Sequence, residues 1–386
     1  MRILISGGGT GGHIYPALAV ATELRDHYGA ELLYIGDENG LETSIVPPTG
    51  IPFEGISAGR LRRYLALGAI TDLGRIPVGV AQATRLARRF RPDVAFTSGG
   101  YVSVPAGIGA RLAGAPLVMH QQDVPPNLAN RLLTPSASRI TISFAASRRW
   151  FPEAKTLLMG NPVRAEMLAA AQFNPAQAKA AFGLDPRLPV VLVTGGSQGA
   201  RRLNQVVAAA LPKLLPRCQV LHISGERTFE ATRALAAQAL TAAPGLGERY
   251  LLAPYLKEEM AEALAASDIV FCRAGASTLT ELSIVGRCSL LVPLPPGFTG
   301  SPQAVNAAMF QRAGAAEVIE DHELTPAAAV DALTLLLGDT NRRQQMAFAA
   351  RKLARPDATR DLAALVAMLA RPHGVRVPLP DREMRP

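Results

Sequence analysis

The feature that most constrains the fold of this chain is a glycine-rich turn that occurs near the start of each half. In the first half the apolar run 2–6 leads into the turn 7–13, and in the second half the run 190–194 leads into the turn 195–200. Each turn is followed by a segment of helical period. Glycine permits positive φ and carries no Cβ, so backbone N–H groups can approach a phosphate at the positive end of a helix dipole. The duplication predicts two nucleotide-binding-type domains that face one ligand.

The remaining sequence is consistent with two such domains. Short β-branched runs alternate with alanine-rich segments of helical period, which is the order of elements in a doubly wound parallel sheet. A chain of 386 residues, 48% of them hydrophobic, can fill two cores. We predict an α/β fold with Rossmann-like domains at 1–163 and 164–354, and a disordered, proline-rich tail at 371–386.

Several protein classes are disfavoured by composition. The first apolar run is too short for a signal peptide, and no stretch approaches the roughly 20 apolar residues of a membrane span, so we expect a cytosolic protein. Cys218, Cys272 and Cys288 lie in apolar segments without C-x-x-C spacing, which favours buried thiols over a disulfide or a zinc site. The motifs D-x-D, H-E-x-x-H and G-x-x-x-x-G-K-[ST] are absent, which disfavours a metal-bridged diphosphate site and a P-loop ATPase.

The net charge of +9 is concentrated in the stretch Arg60–Arg91, where Asp72 is the only acidic residue. Apolar residues alternate with the arginines, a pattern that suits contact with anionic headgroups and the acyl boundary of a membrane. Aromatic residues make up only 5% of the chain, which weighs against nucleic acid as a partner. A solvated basic helix face is an equally good interpretation of this stretch.

The first turn also fits a dinucleotide-binding motif. Gly7, Gly9 and Gly12 match G-x-G-x-x-G, and Asp37 or Glu38 closes the next apolar run, as in an enzyme that binds NAD. His13 follows the turn directly, where it is exposed to whatever the turn binds. An ordinary pKa near 6.5 would let it act as a general base; the alternative is a structural histidine in a capped helix.

The second half contains two further helix starts with open interpretations. Ser197, followed by Gln198, is either an N-cap serine or a donor to a phosphate. Thr278 and Glu281 form a T-x-x-E capping box. Alternatively, the Glu281 carboxylate accepts hydrogen bonds from a ribose diol while the amides of 276–278 face a diphosphate.

Smaller segments point to the same ligand. Segments 98–101 and 120–123 end apolar runs, and open α/β sheets bind ligands beyond the carboxyl ends of their strands. Arg164 lies at the predicted hinge, where it is either a phosphate ligand or a surface arginine. Gln303 and Asn306 offer neutral amides suited to sugar hydroxyls.

Six segments, in order along residues 2–370, resemble the MurG family of glycosyltransferases: 7–18, 99–101, 160–164, 195–200, 273–281 and 303–307. The resemblance implies a GT-B fold, with two Rossmann-like domains facing a deep cleft and a helix at about 355–370 packing back on the first domain. It also implies inverting transfer of N-acetylglucosamine (GlcNAc) from UDP-GlcNAc to the undecaprenyl-diphosphate-linked MurNAc-pentapeptide of peptidoglycan synthesis. The family needs neither a metal nor another cofactor, and acts as a peripheral protein on the cytoplasmic side of the cell membrane.

The resemblance also assigns roles to residues, with His13 as the base that takes the proton of the acceptor hydroxyl. The residues implied for the donor are Thr10, Gly11, Gly12, Asp123, Arg164, Ser197, Gln198, Leu256, Ala276, Ser277, Thr278, Leu279, Thr280, Glu281, Gln303 and Asn306. The residues implied for the acceptor diphosphate are Gly9, Gly99, Gly100 and Tyr101. The basic stretch would then contact the anionic leaflet that anchors the acceptor.

Three positions depart from the family pattern. The family usually has His-Glu-Gln-Asn where this chain has His-Gln-Gln-Asp at 120–123, and Pro302 replaces the usual His or Gln. A carboxylate is therefore missing at Gln121 and an extra one is present at Asp123. The alternatives are another GT-B enzyme acting on UDP-GlcNAc, including a 2-epimerase-like one, a dinucleotide oxidoreductase, and a lipid-precursor-binding protein with weakened catalysis.

Overall fold

The structure, a computed structural model, describes residues 1–59, 68–196, 199–257, 259–295 and 303–370, with 68–74 described as backbone only. These residues form two compact units. The first is Met1–Arg164 with the segment that begins at Arg355, and the second runs from Ala165 to Ala354. Each unit is built on one parallel sheet.

The first unit contains a seven-stranded sheet in the order β3-β2-β1-β4-β5-β6-β7. Its strands are β1 (Arg2–Ser6), β2 (Glu31–Asp37), β3 (Phe53–Ile56), β4 (Val94–Thr97), β5 (Leu117–Gln121), β6 (Arg139–Ile142) and β7 (Thr156–Leu158). Its first helices are α1 (Gly11–Tyr28), α2 (Glu42–Ile45), α3 (Gly68–Phe90), α4 (Ser103–Leu112) and α5 (Leu128–Leu133). The strands are apolar on both faces because helices cover both: Ile3 and Ile5 lie in one buried cluster and Leu4 in another.

The second unit contains a six-stranded sheet in the order β10-β9-β8-β11-β12-β13. Its strands are β8 (Val190–Thr194), β9 (Gln219–Ile223), β10 (Tyr250–Ala253), β11 (Ile269–Cys272), β12 (Cys288–Leu291) and β13 (Ala316–Val318). Its helices are α6 (Ala165–Ala170), α7 (Pro175–Ala181), α8 (Arg201–Leu214), α9 (Phe229–Leu240), α10 (Met260–Ala266), α11 (Ala276–Val285), α12 (Ala304–Arg312), α13 (Pro326–Gly338) and α14 (Thr340–Lys352). The three cysteines are buried free thiols, as predicted.

The last helix, α15 (Ala358–Ala370), returns to the first unit. Leu362 and Val366 are fully buried in the same cluster as Ile3 and Ile5. At the start of this helix Val163 N donates to Thr359 Oγ1 at 3.1 Å, and Thr359 Oγ1 donates to Val163 O at 2.9 Å. The end of the chain therefore completes the core of the first unit.

Both sheets reverse their strand order at one position, between β1 and β4 in the first unit and between β8 and β11 in the second. Connections from neighbouring strands leave in opposite directions at such a point, so the carboxyl edge of the sheet is open there and ligands bind to it. The two glycine-rich turns follow β1 and β8. The predicted doubly wound α/β fold is confirmed, and the fold places both turns at the open edges.

One of the capping interpretations is wrong. Helix α8 begins at Arg201 with Ala200 as its N-cap, and Ser197, the other predicted cap, lies outside the described residues. Helix α11 begins at Ala276 with Gly275 as its N-cap, which places Thr278 inside the helix rather than at a capping box.

Some predicted features lie outside the described residues: Ser197, Gln198, Pro302, the tail 371–386, and Arg60, Arg62 and Arg63 of the basic stretch. Among the residues that are described, no helix has the length and apolar character needed to cross a membrane.

Candidate active site

In the first unit, the turns after β1 and β4 interlock through their backbones. Gly8 N donates to Gly99 O at 3.2 Å. A Cβ on Gly100, which has φ +87°, would lie 2.1 Å from Gly8 O, and a Cβ on Gly9, which has φ +83°, would lie 2.7 Å from the Tyr101 ring. The two turns approach this closely because these positions are glycine. The predicted acceptor residues Gly9, Gly99, Gly100 and Tyr101 therefore form one packed surface.

His13 lies in the first turn of α1 against the second of these turns. Its Nδ1 is 3.1 Å from Ser98 O, and Ser98 Oγ donates to His13 O at 2.6 Å. Because a carbonyl oxygen only accepts, Nδ1 carries the hydrogen and Nε2 carries the lone pair. Burial lowers the pKa of His13, and the nearby carboxylate of Asp123 partly opposes that effect. The ring is thus held neutral at pH 7, with Nε2 able to accept a proton.

Gln121, the position where the family carboxylate is missing, is fully buried. Its Nε2 donates to Asp123 O at 2.6 Å, and its Oε1 accepts from Asn130 Nδ2 at 2.8 Å. The next residue, Gln122, donates from Nε2 to Ser98 O at 3.0 Å. A carboxylate at 121 would accept from Asn130 but would have no hydrogen for the Asp123 carbonyl. The amide therefore shapes the loop that holds Asp123, and its side chain does not reach solvent.

Asp37, the residue expected to bind ribose in a dinucleotide enzyme, is occupied by local hydrogen bonds. Tyr101 Oη donates to Asp37 Oδ2 at 2.6 Å and Asn39 N donates to Asp37 Oδ1 at 3.1 Å. Asp37 is only 5% exposed. The carboxylate anchors the Tyr101 ring beside the glycine turn, which weighs against the dinucleotide interpretation.

Glu42 is the main residue of this half-site that the sequence did not identify. It is fully buried beneath the first glycine turn, and its Oε1 accepts from Gly9 N at 3.1 Å. Burial raises its pKa, and hydrogen bonds from backbone N–H groups, that of Gly9 among them, partly oppose the rise. The Gly9 amide therefore points to Glu42, and the acceptor role of Gly9 stays a prediction. No motif marks Glu42; it opens a four-residue helix in an ordinary loop.

In the second unit, buried polar groups lock the turns after β8 and β9 together. Gly199 has φ +72°, and a Cβ there would lie 2.4 Å from Ser224 O. Asn204 Nδ2 donates to Ser224 O at 2.9 Å, and Asn204 Oδ1 is 3.1 Å from His222 Nε2. Burial lowers the pKa of His222 to about 3, so it is a neutral donor to Asn204. These residues fix the entrance to α8, whose positive end lies at the open edge.

Helix α11 divides the residues expected to bind the donor into two groups. Ser277, Thr278 and Glu281 are partly exposed. Leu279 is fully buried, and Thr280 is 7% exposed with its Oγ1 donating to Ala276 O at 2.8 Å. Spacings of three and four residues place Thr278 and Ser277 on the same helix face as Glu281. This face is the one that offers side chains to a ligand, whereas the fully buried Leu279 offers none; its donor role stays a prediction that concerns its backbone.

Gln303 and Asn306 organise the loop after β11. Gln303 Oε1 accepts from Ala274 N and from Leu294 N, each at 3.0 Å. Asn306 is fully buried and donates from Nδ2 to Ala274 O at 3.0 Å. The expectation that Asn306 contacts a sugar hydroxyl is wrong because its side chain has no exposed surface. Both amides instead fix the entrance to α11.

The remaining candidates lie on the surfaces of the two units. Thr10 is exposed at the N-cap of α1, and Leu256 is partly exposed after β10. The Arg164 guanidinium lies over the Tyr15 ring, 4.9 Å from its centroid, within the first unit. In the described part of the chain, no group of three or more His, Cys, Asp or Glu residues is arranged to hold a metal ion.

Comparison with known proteins assigns the family. Residues 3–142 match the glycosyltransferase family 28 N-terminal domain, and residues 190–362 match the glycosyltransferase family 28 C-terminal domain. The chain is 39% identical over 377 residues to the UDP-N-acetylglucosamine–N-acetylmuramyl-(pentapeptide) pyrophosphoryl-undecaprenol N-acetylglucosamine transferase of Desulforudis audaxviator, covering 96% of this chain and 99% of that protein.

Solved structures agree with this assignment. The crystal structure of Acinetobacter baumannii MurG matches with a TM-score of 0.72 and 28% identity, covering 95% of this chain and 99% of that one. The UDP-GlcNAc 2-epimerase of Neisseria meningitidis, solved with UDP-GlcNAc bound, has a TM-score of 0.67 at 14% identity, covering 96% and 100%; this similarity concerns the fold alone. The two parallel-sheet units are those of the GT-B fold, and the chain belongs to glycosyltransferase family 28, in its MurG branch.

Proposed function

We propose that this protein transfers GlcNAc from UDP-GlcNAc to the lipid-linked MurNAc-pentapeptide, with inversion at the anomeric carbon, in peptidoglycan synthesis. Relatives that cover nearly the whole chain carry this activity in their names. The observation that carries the proposal is His13, a neutral imidazole whose Nδ1 is committed to Ser98 O and whose Nε2 is left basic. A base of this kind is what a sugar hydroxyl needs when it attacks.

The reaction forms a bond between the acceptor oxygen and the anomeric carbon and breaks the bond from that carbon to the diphosphate. His13 Nε2 takes the hydroxyl proton as the new bond forms. UDP departs with the electron pair of the broken bond, and its charge is stabilised by the positive ends of helices at the open sheet edges. Arg164 adds a positive charge in this mechanism, and the chain needs no metal ion for the step.

The donor belongs to the second unit in this proposal. Glu281 accepts hydrogen bonds from the ribose hydroxyls, and Ser277 and Thr278 lie one turn earlier, at the positive end of α11, to receive the diphosphate. Gln303 contributes indirectly, because its hydrogen bond to Ala274 N fixes the loop that leads into α11. Ser197, Gln198 and Leu256 remain donor residues by resemblance to the family.

The acceptor belongs to the first unit, with Gly9 and the Gly99–Tyr101 turn around its diphosphate. Thr10, Gly11 and Gly12 remain donor residues by resemblance to the family. Membrane contact is through α3 and α4, where a surface cavity of about 670 Å³ is lined mostly by apolar side chains, together with Thr84, Arg85 and Arg88. Leu112, which lines it, is 60% exposed, and Val78, also on α3, is 51% exposed. Exposed apolar side chains next to arginines suit an anionic leaflet, so we propose a peripheral position on the cytoplasmic membrane face.

The product distinguishes this function from its alternatives. The purified protein is incubated with UDP-GlcNAc and a lipid-linked MurNAc-pentapeptide, and the lipid product is analysed by NMR. Because the donor has an α linkage, the proposal predicts a β-linked disaccharide. An α-linked disaccharide would contradict inversion, and epimerisation of free UDP-GlcNAc without lipid would establish the 2-epimerase-like alternative instead.

A further inference from the structure

The Glu42 carboxyl is clamped between two glycine turns of the first unit. A Cβ on Gly8 would lie 1.6 Å from Glu42 Oε1, and a Cβ on Gly40 would lie 2.1 Å from Glu42 Oε2. The carboxyl occupies the space that a Cβ at either position would need, so both turns pack directly against it. Its Oε1 accepts from Gly9 N at 3.1 Å. Its Oε2 has no hydrogen-bond partner among the described residues.

A buried carboxyl with one unpaired oxygen is costly, and an apolar side chain of the same length would avoid that cost. The retained hydrogen bond is the one to Gly9, which precedes the N-cap of α1. Thr10 O then accepts from His13 N at 3.0 Å and from Ile14 N at 3.2 Å. Glu42 therefore sets the direction of the Gly9 amide, and through it the path of the turn into the helix that carries His13.

Other hydrogen bonds hold the first two glycines of this turn, so the orientation of the Gly9 amide is left to Glu42. Tyr34 Oη donates to Gly7 O at 2.5 Å, and Gly8 N donates to Gly99 O at 3.2 Å. Gly7 is thus held by Tyr34 of β2 and Gly8 by the turn after β4. Gly9, with φ +83°, is held by the hydrogen bond from its N–H to Glu42. Asp37 and Tyr101 are the other polar side chains beside it, and they bond to each other at 2.6 Å.

We propose that Glu42 is a positioning residue for the acceptor: by accepting the Gly9 N–H it holds the first glycine turn in the conformation that receives the lipid-linked diphosphate. It touches no substrate, and the contacts that the second unit makes with UDP-GlcNAc do not depend on it. This inference rests on the proposed function, because it needs an acceptor whose diphosphate binds at this turn. A neutral acceptor oxygen serves as well as a charged one.

Two variants of equal length separate the hydrogen bond from the volume. Glu42→Gln keeps an acceptor oxygen, and Glu42→Met fills the space but has no oxygen. Glu38→Gln is the matched control, because Glu38 is exposed and lies four residues away. Steady-state kinetics are measured with the lipid acceptor and with UDP-GlcNAc, and amide hydrogen exchange is measured over residues 7–13.

The proposal predicts that Glu42→Met raises the KM for the lipid acceptor about tenfold, the effect of one lost hydrogen bond. The KM for UDP-GlcNAc rises less than the KM for the acceptor, because most donor residues lie in the second unit. Glu42→Gln and Glu38→Gln stay within about threefold of wild type, and exchange over 7–13 speeds up only in Glu42→Met. Equal loss in Glu42→Gln and Glu42→Met, or an unchanged acceptor KM and exchange rate in Glu42→Met, would overturn it. Failure of the proposed function would appear as no lipid-dependent turnover by the wild type. The exchange result does not depend on activity, so it tests the role of Glu42 separately from that failure.

Discussion

Substitution of Gly100 by alanine tests whether the interlocked glycine turns position His13. The new Cβ would lie 2.1 Å from Gly8 O, whereas real Cβ contacts of this kind stay beyond 3.0 Å, so the two turns must separate by almost an ångström. The turn that contains Gly100 also contains Ser98, whose carbonyl orients the His13 ring at 3.1 Å. A displacement of about 1 Å at a reacting group typically costs about 10²-fold in rate.

Alanine at position 100 also loses stability because of the positive φ there, and a control variant with the same backbone strain separates this loss from the effect of the clash. An alanine at the φ +87° of Gly100 costs roughly 1 to 2 kcal/mol of stability. Gly114 has φ +96° in the same unit, but a Cβ there would meet nothing within 4 Å. Gly114→Ala therefore carries the backbone strain without the clash.

The assay is acceptor-dependent release of UDP, measured together with thermal unfolding of each variant. We expect Gly114→Ala to lose stability but to keep its kcat/KM within about twofold of wild type, since no reacting group moves. We expect Gly100→Ala to lose about 10²-fold in kcat/KM for the acceptor. Equal kcat/KM values for the two variants would refute the positional role of the interlocked turns.

Three further predictions concern the proposed chemistry. His13→Ala should lower kcat by about 10²- to 10⁴-fold with an unchanged Kd for UDP-GlcNAc by calorimetry; normal turnover would exclude His13 as the base. Because burial lowers the pKa of His13, the wild-type kcat/KM for the acceptor should fall only at a pH below 6.5. Asp123→Asn should move this fall in kcat/KM to still lower pH, since it removes the negative charge that raises the His13 pKa. A fall that moves to higher pH in Asp123→Asn would contradict this. Glu281→Ala should raise the KM for UDP-GlcNAc about tenfold or more with little change in the acceptor KM, and an unaltered donor KM would remove Glu281 from the ribose site.

The sequence predicted the fold well because its strongest patterns are local. Apolar runs such as 190–194 are bounded by glycines, and a parallel sheet covered on both faces leaves them no polar positions. The position of His13 directly after a glycine turn was also readable from the sequence, and its role as the base stays a prediction. These conclusions depend on residues that are near one another in the chain.

Roles that depend on distant contacts could not be predicted. Glu42 lies 33 residues from the Gly9 amide whose hydrogen bond it accepts. Asn306 lies 32 residues from the Ala274 carbonyl to which it donates. An amide next to a helix start looks the same in sequence whether it faces a ligand or the backbone of another loop. The start of α11 was misplaced for a related reason. A Ser or Thr with a suitable spacing predicts an N-cap, but the path of the preceding loop decides which residue lies at the N-cap position. In α11 that residue is Gly275.

In the proposed function, GlcNAc passes from UDP-GlcNAc to a lipid-linked diphosphate acceptor without a metal ion. The most direct measurement is the rate of UDP release by the purified protein in the presence of a chelator, with and without lipid-linked MurNAc-pentapeptide. We expect release that depends on the lipid acceptor and is unaffected by the chelator. Release that is equal without the acceptor, or that stops until magnesium is restored, would contradict it.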